Sequence, residues 1–442
     1  MDKTFIISRS NFSRFQRLGR ELLWVGLGQF MTALGVIVGI RLLTEVLPPN
    51  IYGEVALGMT IVMLFIQVLL SPIAKASSRF FNPAQEVKQL PALLHGIRKM
   101  LIYVTVLLLV ITNVGFFLGL LIYGYSQWLW LVLAAFIFAL LSGYNLILDG
   151  IQNAARQRLI VAWHQGLASW LRFLSAVGLI GIIGSFSYVA MCGYVLASLV
   201  VLGSQLWFFN RKIMVLSFDK STVIASDIKN WNKRMFSYAW PIATWSIFIW
   251  AQVASERWVL QIFTSTHEVG LYTVLYQLGY YPIPLLSGIM LQFVLPILFK
   301  RAGDGSDQAR IEHTHVLISR IAVVGICITF TGILISFWLH ELIFSLLVAP
   351  EYRTVSYLLP LMVLSSGFFS VGEIISQKMM TSNKTRDLIV PKIAIALLGI
   401  VLNFMGAKWF GLIGVVGASV CLSFLYFVWI ILLARMRSQC SS

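Results

Sequence analysis

Residues 41–53 read RLLTEVLPPNIYG and follow a run, residues 22–40, that contains neither an acid nor a base. An apolar run of that length crosses a roughly 30 Å hydrocarbon core as a helix. Arg41 then marks the outer end of the helix, the Pro-Pro pair stops it, and Gly53 allows a tight re-entry into the next apolar run. The stretch therefore predicts a hairpin of two membrane-spanning helices.

The rest of the chain repeats this pattern. Of its 442 residues, 59% are hydrophobic and 11% are charged, and its mean hydropathy is +0.85, whereas globular chains carry about a quarter charged residues. The apolar runs are unbroken, unlike the alternating segments of a membrane β-barrel. We therefore predict an all-α polytopic membrane protein. Spans are expected near residues 21–41, 53–73, 100–122, 128–149, 161–184, 188–209, 237–260, 270–298, 316–338, 354–375, 389–408 and 412–434.

The basic residues predict the orientation of these twelve spans. With the N-terminus inside, all but five of the 33 Lys and Arg lie on the cytoplasmic side, as the positive-inside rule demands. The five exceptions are Arg41, Arg172, Arg257, Arg353 and Lys408. Residues 1–20 are basic and lack a cleavage-site pattern, which indicates a retained cytoplasmic arm. Both termini are expected in the cytoplasm, and the net charge of +16 indicates topology signals and contacts with membrane lipids, not nucleic-acid binding.

A long connection at the midpoint predicts two lobes. The expected division is a cytoplasmic arm (1–20), an N-terminal six-helix lobe (21–209), a cytoplasmic linker (210–235), a C-terminal six-helix lobe (236–434) and a cytoplasmic tail (435–442). The lobes echo each other, because RLLTEVLPPNIYGEVAL (41–57) and RWVLQIFTSTHEVGLYTVL (257–275) both start at an Arg and lead to a Gly beside a Tyr. Internal repeats are common in secondary transporters, which hold substrate near the midplane.

Ionisable residues inside the spans are the main functional candidates. A charge at mid-bilayer costs at least about 2.5 kcal/mol, so it faces a partner or a water-filled cavity. Arg172, halfway along its span, either lines a central cavity or belongs to a structural ion pair. Arg41 either reaches that cavity or is an interfacial anchor. The candidates for ion coupling or gating are Asp149, Glu256, Glu373 and His164. Asp149 and Glu373 lie near cytoplasmic helix ends, where solvation is the alternative, and a lone His is more often structural. For Glu256 and Arg257, in the outer third of their span, the alternative is pairing with each other or with lipid headgroups.

Tyr276, Gln277 and Tyr280 share one face of a span. Aromatic rings beside amide and hydroxyl groups suit a sugar, and a packed tyrosine is the alternative. Asn145 and Gln252 lie on polar stripes of other spans, where helix–helix hydrogen bonding is the alternative. The sequence has no Gly-rich GK[ST] phosphate loop and no HExxH motif, and no predicted loop is long enough for a soluble active site. We therefore expect no metal site, no cofactor and no enzymatic activity.

Four stretches resemble the Wzx-type oligosaccharide flippases of the MOP superfamily. They are residues 41–57 as quoted, ERWVLQIFTSTHEVGLYTVLYQL (256–278), LLVAPEYRTVSYLLPLM (346–362) and WFGLIGVVGASV (409–420). The resemblance implies a MATE-like fold, with two six-helix lobes around a central cavity. It also implies transport of undecaprenyl-pyrophosphate-linked oligosaccharide across a bacterial inner membrane, with a polysaccharide polymerase and a chain-length regulator as possible partners. The arginines that fit pyrophosphate binding are Arg41, Arg172 and Arg257, and Tyr276, Gln277, Tyr280, Asn145 and Gln252 fit sugar binding.

Two other functions stay open from the sequence. A cation-coupled exporter of drugs or toxins would share this fold, but the first span has no mid-membrane acid to carry a coupling proton. A membrane polymerase of polysaccharide assembly would need a catalytic outer loop. The longest predicted outer connection, residues 339–353, is interpreted instead as an interfacial amphipathic helix.

Overall fold

The computed structural model describes residues 9–123, 126–211, 225–302, 307–382 and 385–439, and these residues are almost entirely helical. The helices are α1 Arg9–Val46, α2 Pro49–Phe65, α3 Ser71–Glu86, α4 Leu90–Tyr123, α5 Gln127–Ala154, α6 Arg158–Ile183, α7 Ser187–Phe209, α8 Ala225–Phe263, α9 Thr266–Leu275, α10 Pro282–Ala302, α11 Gln308–Leu347, α12 Leu359–Thr381 and α13 Ile389–Gln439. Single π-helical turns, Ile66–Leu70 and Tyr276–Tyr280, join α2 to α3 and α9 to α10, and 3₁₀ segments, Pro350–Leu358 and Thr385–Leu388, precede α12 and α13.

The prediction of an all-α polytopic membrane protein is confirmed. Within the described ranges, ten helical segments are long and apolar enough to cross a membrane. One of them, Arg386–Met436, covers nearly all of α13, whose 51 residues hold two predicted spans. The helix is broken at Gly411, where φ is 56° and ψ is −135°. The helix α8 is not among the ten, although it holds the predicted span 237–260. The described chain thus makes ten to twelve apolar passes.

Helix ends differ from the predicted boundaries in several places, and α13 continues to Gln439, inside the predicted tail 435–442. The helix α1 begins at Arg9, inside the predicted arm, and residues 1–8 lie outside the described part. Residues 212–224 of the predicted linker 210–235 also lie outside the described part, and the end of that linker, from Ala225, belongs to α8. The expectation of a separate interfacial helix at 339–353 is wrong, because α11 runs unbroken to Leu347 and a 3₁₀ segment follows. A continuous apolar helix satisfies its backbone internally, so nothing ends it before that point.

The contacts divide the chain into two compact units. Unit 1 comprises Met1–Val46 and Gly58–Ile247, and unit 2 comprises Leu47–Leu57 and Phe248–Ser442. One part of the core of unit 1 is formed by apolar side chains of α3, α4, α5, α8 and the π-helical turn before α3. Leu70 of that turn, Leu93 and Met235 are fully buried. The indole nitrogen of Trp231 on α8 donates to the side-chain oxygen of Gln89, 3.1 Å away, and holds α8 beside the start of α4.

In unit 2, two glycines hold the segment 47–57 against α9. A methyl group on Gly53 would lie 2.0 Å from the carbonyl oxygen of Thr266, and one on Gly270 would lie 2.0 Å from the carbonyl oxygen of Pro49. The two echoing stretches of the sequence therefore meet at their glycines. The helix α1 ends before the Pro-Pro pair and α2 begins at its second proline, as expected. Gly53, however, is the fifth residue of α2, so it serves close packing between helices and not a tight turn.

Candidate functional site

Three tyrosines four residues apart form a row in unit 2, which we call the tyrosine row: Tyr272, Tyr276 and Tyr280. The centroids of the Tyr276 and Tyr280 rings are 4.8 Å apart, their planes are 17° from parallel, and the Tyr272 and Tyr276 centroids are 6.2 Å apart. The row follows the end of α9 into the π-helical turn Tyr276–Tyr280. A π-helical turn replaces i→i+4 hydrogen bonds with i→i+5 bonds and is frequent at functional sites.

Two buried charged groups at the end of α8 lie beside this row. Glu256 and Arg257 are each 6% exposed. The guanidinium carbon of Arg257 lies 5.0 Å from the ring centroid of Tyr276 and 5.9 Å from that of Tyr272. The Tyr272 hydroxyl donates to Glu256 at 2.8 Å. The guanidinium thus lies beside aromatic rings, whose faces attract cations, and its Nη1 donates to the carbonyl oxygen of Val253 at 3.4 Å.

Gln277 belongs to the same group of side chains. Its side-chain oxygen accepts a hydrogen bond of 3.0 Å from the hydroxyl of Tyr52, which is 4% exposed. Tyr52 itself stacks edge-on against Tyr352, with ring centroids 5.9 Å apart. The stretch 41–53, to which Tyr52 belongs, therefore contributes a side chain to the candidate site of unit 2.

A second charged group in unit 2 is centred on Glu373 of α12. The ammonium of Lys392 lies 2.9 Å and 3.2 Å from its two oxygens, and the Tyr426 hydroxyl is hydrogen-bonded to the same carboxylate. Glu373 is therefore paired and is not simply solvated. Phe369 bridges this group to the tyrosine row, since its ring centroid is 6.3 Å from that of Tyr280 and 5.5 Å from that of Tyr426.

In unit 1, Arg172 also lies among aromatic rings. Its guanidinium carbon is 5.2 Å from the ring centroid of Phe138 and 5.9 Å from that of Tyr194. Arg41, in contrast, forms an ion pair with Glu45, one turn further along α1, and the side chains are 35% and 45% exposed. That pairing is what an interfacial anchor would show, and the cavity role of Arg41 stays a prediction.

Asp149 of α5 is held by two amides. Gln165 donates to it at 3.1 Å and Gln205 at 2.5 Å. The oxygen of the Gln205 amide is buried without a hydrogen-bond partner in the described structure, and so are both amide atoms of Gln152, one turn from Asp149. A carboxylate with only neutral donors around it, beside unused amide oxygens, is suited to taking up a proton or a small cation.

Three other predicted residues make contacts of a structural kind. The ring nitrogens of His164 lie 2.7 Å from the carbonyl oxygen of Ile160 and 3.0 Å from the hydroxyl of Ser204. Asn145 donates to the carbonyl oxygen of Ser198 at 3.2 Å, which links α5 to α7. Gln252 packs on Gly399, where a methyl group would lie 2.9 Å from its Cγ. These contacts match the alternative of helix–helix bonding.

Sequence reasoning missed several members of these groups. The residues are Tyr52, Tyr272, Phe138, Tyr194, Gln205, Lys392 and Tyr426. Tyr272 could have been found, because it precedes Tyr276 by the same four residues that separate Tyr276 from Tyr280. Lys392 was missed because, by sequence alone, it is one of the many basic residues that indicate the cytoplasmic side. Gln205 lies in a helix with no other charged or amide side chain, so its pairing with Asp149 depends on tertiary contacts alone.

Comparisons with known proteins agree with this architecture. The profile of a protein family described as "Polysaccharide biosynthesis protein" matches residues 18–301, well over half of the chain. No curated protein sequence matches the chain.

Several solved structures share the fold. The chain is similar to the lipid II flippase MurJ in an inward closed conformation, with 12% identity, 93% of this chain and 87% of that chain covered, and a TM-score of 0.70. It is similar to an inward-facing multidrug resistance MATE transporter of the MOP superfamily, with 12% identity, 95% and 96% covered, and a TM-score of 0.65. A third similar structure is a MOP superfamily transporter from Pyrococcus furiosus, with 14% identity, 95% and 94% covered, and a TM-score of 0.57. At these identities the likeness shows the MATE-like fold.

Proposed function

Because the chain belongs to the family of polysaccharide biosynthesis proteins, we propose that it is a flippase for undecaprenyl-pyrophosphate-linked oligosaccharide repeat units. It moves them by alternating access from the cytoplasmic to the periplasmic leaflet of a bacterial inner membrane, for the assembly of a polysaccharide such as O-antigen. Both termini are in the cytoplasm. A polysaccharide polymerase and a chain-length regulator act on the product side, and no reaction is catalysed.

The observation that carries the proposal is the position of Arg257 against the tyrosine row. A pyrophosphate that crosses a hydrocarbon layer needs compensating positive charge, and a guanidinium offers it in a geometry that pairs bidentately with phosphate oxygens. Arg257 is 6% exposed and lies over the Tyr276 ring, so its side chain is already ordered. Little conformational entropy is then lost when the anion binds.

The same row fits the sugar part of the substrate. The parallel rings of Tyr276 and Tyr280 present apolar faces, whereas Gln277 and Tyr52 supply an amide and a hydroxyl beside them. Sugars combine an apolar C–H face with peripheral hydroxyl groups, so they match a surface of this composition. Arg172, in unit 1, keeps the pyrophosphate-binding role predicted from the sequence. Asn145 and Gln252, predicted to bind sugar, are assigned positioning roles because their contacts join helices.

We assign ion coupling to two partly buried carboxylates. Asp149 is the first candidate, since its hydrogen-bond donors among the described residues are two neutral amides. Glu373 is the second, because protonation of its carboxylate would remove the ion pair with Lys392 and weaken the hydrogen bond from Tyr426. A charge that is neutralised on one side of the membrane and restored on the other provides a physical basis for coupled transport.

The test is mass spectrometry of lipid-linked intermediates in cells that lack the protein, with leaflet access measured by an impermeant glycan-oxidising reagent. We expect single repeat units to accumulate, protected from the reagent. Wild-type protein should clear the accumulated repeat units in full and Arg257→Lys in part, whereas Arg257→Ala should leave them. The control is Lys408→Ala, which removes one positive charge from an exposed site of the same unit and should act like wild type.

Two results would contradict the flippase assignment. Repeat units that accumulate but react with the reagent would place the defect at a later step, such as polymerisation. An unchanged lipid profile would favour the cation-coupled exporter, the second candidate. The observation in favour of an exporter is the Asp149 group, and its test is uptake of organic cations into inverted vesicles that contain the wild-type protein or Asp149→Asn.

A further inference from the structure

A basic cavity of about 660 Å³ lies in unit 1, between the first turns of α4 and α8. Arg98 and Lys99 of α4 and Lys229 of α8 line it, together with His95. No carboxylate is among the described residues that line it. Three like charges around one concave space repel each other unless an anion occupies it, and the cavity therefore has the charge of a phosphate site.

The cavity is built on a close helix contact and not on flexible loops. A methyl group on Gly96 would lie 2.4 Å from the side-chain oxygen of Asn232, so α4 and α8 touch there. That Asn232 oxygen is buried without a hydrogen-bond partner in the described structure. The Trp231–Gln89 hydrogen bond fixes the same two helices. The basic groups are thus carried by a preformed wall.

An apolar stripe continues from the cavity along both helices. On α4, Ile102 lines the cavity, and Val106 and Val110 follow at four-residue intervals on the same face, 53% and 55% exposed. On α8, Phe236 and Trp240 continue the face of Asn232 in the same way, stacked with ring centroids 6.2 Å apart. From Arg98 to Val110 the helix rises about 18 Å, close to the thickness of one leaflet.

From this arrangement we infer that the cavity binds the phosphate headgroup of an anionic phospholipid from the adjoining leaflet. The three basic side chains contact the phosphate, and the acyl chains lie along the exposed stripe of α4 and α8. The stripe offers the acyl chains of such a lipid an apolar surface directly beside the basic groups, whereas a free phosphate or sugar phosphate would use the charges alone. Basic pockets between membrane helices on the cytoplasmic side are typical sites for such headgroups. This inference does not rest on the identity of the transported substrate.

The test is native mass spectrometry of the purified full-length protein with phosphatidylglycerol, cardiolipin or phosphatidylcholine. We expect the two anionic lipids to remain bound and phosphatidylcholine to be lost. Arg98→Gln combined with Lys229→Gln should weaken binding of the anionic lipids about fivefold for each charge removed, since a basic residue near an anionic surface contributes ~1 kcal/mol. The matched control, Lys75→Gln with Arg79→Gln on α3, removes two exposed charges of the same unit and should bind like wild type.

Each other outcome overturns the assignment. Equal retention of phosphatidylcholine, or equal losses in the control variant, would mean non-specific lipid binding. Displacement of the lipid by millimolar inorganic phosphate would identify a site for a free anion, and preferential displacement by undecaprenyl phosphate would identify a site for the carrier. Lys229→Gln alone, at an exposed position, repeats the measurement if the double variant is unstable.

Discussion

Arg172 and Arg257 show how a single guanidinium is accommodated in a membrane helix. Both lie within about 6 Å of two aromatic rings, Arg172 beside Phe138 and Tyr194 and Arg257 beside the tyrosine row. Cation–π contacts stabilise the charge when it is removed from water and leave its hydrogen-bond donors for other partners. The sequence does not predict the aromatic contacts of Arg172, because Phe138 and Tyr194 belong to two other helices.

At the residue scale, we expect Arg172→Ala to abolish transport while the amount of protein in the membrane stays unchanged. Arg172→Lys should retain part of the activity, because an ammonium keeps the charge but not the planar fork. The measurement is complementation of a deletion strain together with quantitative immunoblotting of membranes. Full activity of Arg172→Ala would remove this residue from the substrate path.

The ion pair of Glu373 and Lys392 gives a second prediction at this scale. Glu373→Gln should destabilise unit 2 by about 1–3 kcal/mol, because it leaves a half-buried ammonium with a neutral partner. The double variant Glu373→Gln/Lys392→Gln should recover part of that loss, since the uncompensated charge is then gone. The measurement is a double-mutant cycle of unfolding in detergent micelles. Additive effects of the two changes would mean that the pair contributes nothing to stability.

At the element scale, glycines decide how closely the segment 47–57 approaches α9. Gly53→Ala should destabilise the protein by about 1–3 kcal/mol, because the added methyl group would meet the carbonyl oxygen of Thr266 at 2.0 Å and the two backbones must separate. Gly115→Ala is the matched control, since that helical glycine has nothing within 4 Å of the new methyl group. It should be neutral or slightly stabilising.

The measurement for the glycine pair is thermal unfolding in detergent, with Gly270→Ala as the partner variant. Similar losses are expected for Gly53→Ala and Gly270→Ala, because each glycine faces a carbonyl oxygen of the other segment at the same distance. Wild-type stability of both variants would mean that the helices shift apart without cost. The close contacts of Gly53 and Gly270 would then contribute nothing measurable to stability.

At the scale of the whole molecule, the distribution of basic residues predicts which ends of the helices face the cytoplasm. In a variant with the native cysteines replaced, Lys408→Cys should react with an impermeant thiol reagent in intact cells, whereas Arg156→Cys should react only after the inner membrane is permeabilised. The reason is the retention of basic loops on the cytoplasmic side during insertion. The reverse pattern of labelling would invert the predicted topology.

The sequence by itself determined the class of the fold and the positions of its helices. Every predicted span lies in helical structure, although two of them contain a π-helical turn, one begins in a 3₁₀ segment and the last two share α13. In hydrocarbon a backbone satisfies its hydrogen bonds within a helix, so a run of apolar residues is sufficient to predict one. Pro48 and Pro49 lie at the junction of α1 and α2 as predicted, and the break at Gly411 lies between the last two predicted spans. These properties depend on neighbours along the chain.

Only the tertiary structure decided which side chains act together. Glu373 meets Lys392 and Tyr426 from another helix, Asp149 meets Gln165 and Gln205 from two others, and Gln277 meets Tyr52 from a stretch more than two hundred residues earlier. Apolar helices carry little information about their partners, because lipid tails are as apolar as the helix surface and the periodic pattern of a soluble core is lost. Polar contacts and small residues therefore select the packing, and these appear only once the helices are assembled.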